Sequence, residues 1–143
     1  MKHSIVLFVL IIFTTFSFAS NEEFAKDFSY MQNYQKAKEK SLHVNKPLLV
    51  LFVTTTCPWC KKLENQTLSK EHINAFIHKN FIPVVLDKEK DTYPQFLQPK
   101  VVPTIYFVDT KKEKSFGEIL GYKNKSDFYE LLQKASLRAK EQK

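Results

Sequence analysis

Cys57 and Cys60 are the only cysteines in the chain, and they stand two residues apart as Cys57-Pro58-Trp59-Cys60. A disulfide that stabilises a domain does so by closing a long loop of the unfolded chain, and a bridge over two residues closes almost none. The pair is therefore chemical rather than structural. Pro58 suits the first helical position, where its missing N–H leaves no bond unmade, so the pattern predicts a helix from Cys57 through Leu63 to about Gln66. At that helix start the Cys57 sulfur meets unpaired backbone N–H groups and the positive end of the dipole, which favour its thiolate. Cys60 lies one turn inside and stays protonated until it attacks a mixed disulfide and releases the partner. The chemistry implied is dithiol–disulfide exchange.

Other cysteine chemistries fail residue by residue. A c-type haem site needs His after the second cysteine, and Lys61 stands there. A structural zinc needs about four ligands, yet there is no second cysteine pair and His3, His43, His72 and His78 do not cluster, so no metal is expected. His43, His72 and His78 read as surface or loop residues. No cofactor is expected beyond the redox-active cysteine pair. The two glycines of the chain leave no GxGxxG or Walker loop for a nucleotide. Nucleic acid is not an expected partner either: the +7 net charge is nearly all lysine, spread without a dense run, and Arg138 is the sole arginine.

The elements that must position the cysteines begin after residue 19. Met1-Lys2-His3, an uncharged apolar run from Ile5 to Phe18, and Ser17-Phe18-Ala19 have the three parts of a secretory signal peptide, with cleavage expected after Ala19. The run is about 14 residues, short of the ~20 that cross a bilayer as a helix. Residues 1–19 thus read as a signal peptide and 20–143 as one domain, exported to the periplasm or secreted.

Along that domain, an amphipathic helix is expected from Ser29 to Ser41, with Phe28, Met31 and Tyr34/Gln35 at helical spacing. Leu48 to Val53 is an apolar run of strand length, covered on both faces as in a parallel sheet, and leads directly into the cysteines. Ser69 is the expected cap of a helix carrying Ile73, Phe76 and Ile77, ended by Asn80. Phe81 to Asp87 reads as a strand whose Pro83 belongs at a sheet edge. A helical turn is expected over Tyr93–Leu97. Thr104–Asp109 and Lys114–Tyr122 read as an antiparallel hairpin, and Asn124 or Ser126 as the cap of a last helix with Phe128, Leu131, Leu132 and Ala135 on one face. The class is α/β.

Lys46-Pro47 before the first strand, Cys57-Pro58-Trp59-Cys60-Lys61, Glu64, Thr67-Leu68-Ser69, Val102-Pro103-Thr104 opening another strand, and Gly121-Tyr122 together resemble the thioredoxin superfamily. Within it the likeness is to small exported thioredoxins and to periplasmic domains similar to the C-terminal domain of DsbD, over roughly Ser29 to Leu132. The resemblance implies a thioredoxin-like fold: a central mixed sheet of about four strands flanked by helices, here with an N-terminal helix replacing the usual first strand. It implies a cis Pro103 facing Cys57, with Val102 offering its backbone N–H and C=O to an extended client segment. It also implies a monomer serving protein disulfide or dithiol clients, recharged by a membrane or periplasmic electron donor, and acting as reductase, isomerase or electron carrier rather than primary oxidant.

Trp59 reads equally as a contact for partners and as a side chain packed on its own domain. Where many thioredoxins carry a buried Asp six residues before the first cysteine, this chain has Leu51, so the Cys60 proton must go to water or to Glu64. Glu64 reads first as a solvated carboxylate paired with Lys61, and second as that acceptor. Lys61 and Lys62 add little to the Cys57 thiolate through screened charge. Two rival functions are a glutaredoxin-like glutathione-dependent enzyme, disfavoured because Gly121 is followed by Tyr122 and not a second glycine, and a non-enzymatic Cu(I) carrier or chaperone, disfavoured by the lack of neighbouring Met or His ligands.

Overall fold

The computed structural model describes residues 21–141. The expected signal peptide and its cleavage point lie outside them. The elements in chain order are α1 (Asn21–Asp27), α2 (Tyr34–Val44), β1 (Leu48–Val53), α3 (Pro58–Leu63), a π-helical turn (Glu64–Leu68), α4 (Glu71–Asn80), β2 (Ile82–Asp87), β3 (Thr104–Asp109), β4 (Lys114–Leu120) and α5 (Lys125–Glu141).

The four strands form one mixed sheet in the order β2-β1-β3-β4. β1 runs parallel to β2, with Leu48 opposite Ile82, and antiparallel to β3, with Phe52 opposite Thr104. All six β1 side chains are fully buried, as an unbroken apolar run requires when helices cover both faces. Alternation divides them: Leu49, Leu51 and Val53 enter a core with residues of α1, α3, α4 and α5, including Cys57 and Cys60. Leu48, Val50 and Phe52 enter a second core with Tyr34, Ala37 and Leu97. Each such side chain contributes roughly 1.5–3 kcal/mol by leaving water, so the dithiol is seated on a fully buried strand.

The N-terminal helix is divided. Ser29 takes a left-handed φ of 57°, and Met31 forms a parallel bridge to Val84, donating its N–H to Pro83 O at 3.0 Å and accepting from Val85 N at 2.8 Å. One bridging residue therefore covers the outer edge of β2, the edge on which Pro83 has no N–H to offer. α2 begins only at Tyr34, because Asn33 Oδ1 caps it by accepting the Lys36 N–H at 2.9 Å. Local hydrogen bonding here overrides helical composition.

Other expected boundaries also move. Ser69 does not cap α4; its hydroxyl donates back to Asn65 O at 2.7 Å, and α4 starts after Lys70 without a side-chain cap. Tyr93–Leu97 is not helical but holds a single turn, Leu97 N–H to Pro94 O at 3.0 Å. α5 is capped by Asn124, whose Oδ1 accepts the Asp127 N–H at 3.0 Å, and not by Ser126. β4 ends at Leu120, since Gly121 turns the chain with φ 69°, a conformation that costs glycine little.

Candidate functional site

β1 stops at Val53, and Cys57 caps α3 four residues later in an extended conformation, with Pro58 opening the helix. The Cys57 Sγ accepts the Cys60 N–H at 3.1 Å and is joined to the Cys60 sulfur in a disulfide. Cys57 is 8% exposed and Cys60 1%. Of the two cysteines, the one at the helix end is the less deeply buried.

Three segments meet at this end of the sheet. Because Thr104 pairs with Phe52, the preceding Val102-Pro103 arrives beside the end of β1, and its peptide bond is cis as the family resemblance implies. Pro103 O accepts the Gly121 N–H at 2.8 Å, which brings Tyr122 into place. The Tyr122 ring lies 5.8 Å from that of Trp59, and its hydroxyl donates to Gln66 Oε1 at 3.1 Å. Val102 is half-buried, packs against both cores, and among the described residues pairs neither its N–H nor its C=O with other backbone.

Trp59 packs on its own domain. It tilts against Tyr122 yet remains 56% exposed. Lys62 Nζ stands 4.9 Å from the Trp59 ring centre and 4.8 Å from that of Tyr122, contacts each worth about 0.5–1 kcal/mol at an exposed site. The two lysines after Cys60 thus have separate duties, Lys62 on the aromatic pair and Lys61 on Glu64. Sequence reasoning missed the first grouping. Its signals were present: Lys62 follows Trp59 by three residues, one helical turn, and Tyr122 follows the glycine that ends the hairpin.

Glu64 is not solvated. It is 1% exposed, with Oε2 3.0 Å from Lys61 Nζ and Oε1 lacking any protein partner among the described residues. Cys60, Leu63, Glu64, Thr67 and Leu68 are all buried, and their spacing of i, i+3, i+4, i+7, i+8 is that of one inward helix stripe. The widened turn over Glu64–Leu68 ends with the Ser69 N–H on Glu64 O at 2.9 Å, and Thr67 is anchored by its hydroxyl on Lys123 O at 2.9 Å.

Burial pushes the Glu64 carboxyl above the usual carboxylate range, against a smaller opposing pull from Lys61. A carboxyl raised in the folded state binds its proton more tightly there, so stability falls as pH climbs through that range and the penalty persists at neutral pH. Glu64→Gln is therefore expected to stabilise the fold at pH 7 by on the order of 1 kcal/mol, with the gain fading at low pH where Glu64 is itself neutral. Denaturant unfolding at the two pH values checks this. A less stable variant at pH 7 would mean that the Lys61 ion pair outweighs burial.

His43 and His72 are exposed, whereas His78 is half-buried in α4 with Nε2 2.8 Å from Phe28 O. Among the described residues no three His, Cys, Asp or Glu side chains gather to hold a metal ion, and no helix is long and apolar enough to cross a membrane. A cavity of about 310 Å³ lined by Ser41, Lys46, Asp109, Lys111 and Phe116 lies at the opposite end of β1 and β3 from the disulfide. Trp59 within the cysteine motif, Val101 just before the cis peptide bond, and Leu120 opposite Thr104 are each about half exposed.

Known structures share this fold. A thioredoxin from Thermus thermophilus superposes with a TM-score of 0.61 at 17% identity, over 77% of this chain and 88% of that one. The periplasmic thioredoxin SoxS from Paracoccus pantotrophus, in its reduced form, gives 0.52 at 19% identity, over 66% and 99%. The reduced DsbD C-terminal domain of Neisseria meningitidis gives 0.53 at 16%, over 71% and 92%. Among curated sequences, spermatogenesis-associated protein 20 of Rattus norvegicus is 32% identical over 56 residues, which are 39% of this chain and 7% of that protein. This chain therefore spans a small part of the length of such relatives. Residues 34–136, which include β1, the cysteine helix, the cis-proline loop and most of α5, match the model of the thioredoxin-like domain, and the chain belongs to that family.

Proposed function

We propose that this protein is an exported thiol–disulfide oxidoreductase that exchanges its Cys57–Cys60 dithiol with disulfides of protein clients, as a reductase, isomerase or electron carrier. The observation that carries this is the asymmetry of the pair: Cys57 at the helix end, the less buried of the two and held by a backbone N–H, and Cys60 buried one turn inside. In the reduced state the Cys57 thiolate attacks a client disulfide and forms a mixed disulfide, after which Cys60 attacks the Cys57 sulfur and frees the client. Val102 lends its unpaired backbone to an extended client segment, a short strand addition that reads backbone rather than side chains and so admits many clients. Trp59 and Tyr122 form the rim against which the client rests. Pro58 opens the helix and Pro103 shapes the loop that carries Val102. No metal or organic cofactor takes part; electrons come from a membrane or periplasmic donor, and the protein acts as a monomer.

Export is supported by the basic, apolar and small-residue parts of residues 1–19. An oxidising compartment also suits a chain whose two cysteines are both committed to exchange.

The test is turnover together with potential. The reduced mature protein should reduce a model protein disulfide without glutathione, and chains recovered from the periplasm or medium should begin at Ser20. Equilibration against a reference couple should place the dithiol below about −180 mV, the reducing side of the known range of about −270 to −120 mV. A value near −120 mV would reverse the direction and make the protein an oxidant, and strict dependence on glutathione would make it a glutaredoxin-type enzyme.

A further inference from the structure

The cavity of about 310 Å³ at the pole remote from the disulfide is within the range of about 300–1,000 Å³ in which proteins hold small molecules. It opens where Leu48 pairs with Val108, at the far ends of β1 and β3, and the end of α2, the Lys46-Pro47 loop, the β3–β4 turn and Ala139 of α5 wall it. Hydrogen bonds already fix these walls. Asp109 Oδ1 accepts the N–H groups of Lys111 and Lys112 at 3.0 and 3.1 Å, which closes the turn, and Glu113 beyond it pairs with Lys38 of α2.

Two of the lining side chains, Ser41 and Thr110, are buried hydroxyls. Ser41 donates its single hydrogen to Lys46 O, so Thr110 Oγ1, 2.8 Å away, must be the donor to Ser41 Oγ. This chain of hydroxyls ties Lys46 to Thr110, the residue before Lys111, and so brings the two lysines to one cavity. It also leaves neither hydroxyl a hydrogen for a ligand. An acceptor atom entering the cavity must turn to the lysines.

Charge and shape then set the class of ligand. Lys46 and Lys111 have no carboxylate partner among the described residues. Lys46 Nζ donates to the neutral His78 O at 3.0 Å and keeps its charge and two further hydrogens. The groups that would oppose an anion are engaged: Asp109 by the two N–H groups and by Lys112 Nζ at 3.5 Å, and Ser41 O by the N–H groups of Asn45 and Lys46. Beside the lysines stand Pro47, Phe116 and Ala139, an apolar wall. An inorganic anion would leave that wall wet, and a neutral molecule would leave the ammonium groups unanswered.

We propose that this cavity is a second binding site, for a small organic carboxylate whose charge is held by Lys46 and Lys111 and whose compact apolar body lies on Phe116, Pro47 and Ala139. Charge-assisted hydrogen bonds fix one end of the ligand and burial of apolar surface the other.

The test follows the backbone amide shifts of the full chain with benzoate as the probe. Benzoate is expected to move the Thr110, Lys111 and Phe116 amides along one saturating curve. Benzyl alcohol, the same body without the charge, and inorganic phosphate, charge without the body, should each bind at least several-fold more weakly. Lys111→Gln alters an exposed side chain, so it should weaken benzoate several-fold while leaving the denaturant midpoint where it was. Shifts that fail to saturate, or that spread over lysines elsewhere on the surface, mean adventitious anion binding and overturn the site. Benzyl alcohol or phosphate binding as tightly as benzoate overturns the ligand class, and a Lys111→Gln protein that keeps the parent's affinity overturns the role of the lysines. Disulfide reduction enters none of these measurements, so the site and the exchange reading stand or fall separately.

Discussion

Replacing Cys57 by serine is expected to lower disulfide reduction at least ~10³-fold, because the hydroxyl is a far weaker nucleophile that does not ionise near neutral pH. Cys60→Ser should behave differently. Its Cys57 thiolate still attacks, but nothing resolves the product, so mixed disulfides with clients accumulate and can be isolated on a non-reducing gel. The asymmetry follows from geometry: Cys57 Sγ accepts a backbone N–H at the helix start, while Cys60 lies 1% exposed on the inward stripe with Leu63 and Glu64. Alkylation of the reduced parent at neutral pH gives the direct check. Cys57 should react first, since the helix terminus favours its thiolate and it is the less buried of the two. Faster labelling of Cys60 would exchange the two roles and withdraw the mechanism.

The parts of the fold legible in the sequence were those fixed by strong local physics. β1 could be read because six consecutive apolar residues are too few for a helix and too many for an exposed strand, and all six are buried. The helix start at Cys57 could be read because proline at the first helical position is a steric fact. The cis-proline loop came through resemblance alone, since a Val-Pro-Thr sequence carries no local sign of its isomer. What could not be read was decided by partners distant in sequence. Met31 leaves its helical surroundings because Pro83 and Val85 offer a carbonyl and an N–H to it across some fifty residues. Ser69 looked like a cap, yet the widened turn before it presents Asn65 O to its hydroxyl.

Glu64 is the instructive miss at the site. Composition placed a carboxylate on the surface, whereas its position four residues after a buried cysteine placed it inside, and the structure follows position. Its ion pair to Lys61, within the same turn, was legible, but pairing was taken for a surface feature when it is what makes burial tolerable. Tyr30 was illegible for another reason: it looked like part of a helix, and it lies instead just after α1 in the core that holds both cysteines.

Leu51→Asp is expected to destabilise the fold by about 3–5 kcal/mol, through loss of a well-packed apolar side chain and burial of a polar one without a partner. Leu51 is fully buried in the middle of β1, on the face that carries Cys57 and Cys60. A carboxyl placed there would have its pKa raised by burial, so the charged form is the more costly and the deficit should be larger at pH 8 than at pH 4. Denaturant unfolding at both pH values reads this. Unchanged stability would put residue 51 outside the core and undo the pairing of β1 with its neighbours. The same variant separates two ways of handling the Cys60 proton. In many thioredoxins a buried Asp at this position serves that thiol; here residue 51 is Leu, and the buried carboxyl of Glu64 comes one helical turn past Cys60 in the chain. If Glu64 already fills the role, a new carboxylate at 51 destabilises the fold without accelerating the resolving step in single-turnover reduction. If the step speeds up in Leu51→Asp, proton removal limits the parent enzyme, Glu64 is a poor acceptor, and the chain has given up rate at this position for the stability of an apolar β1.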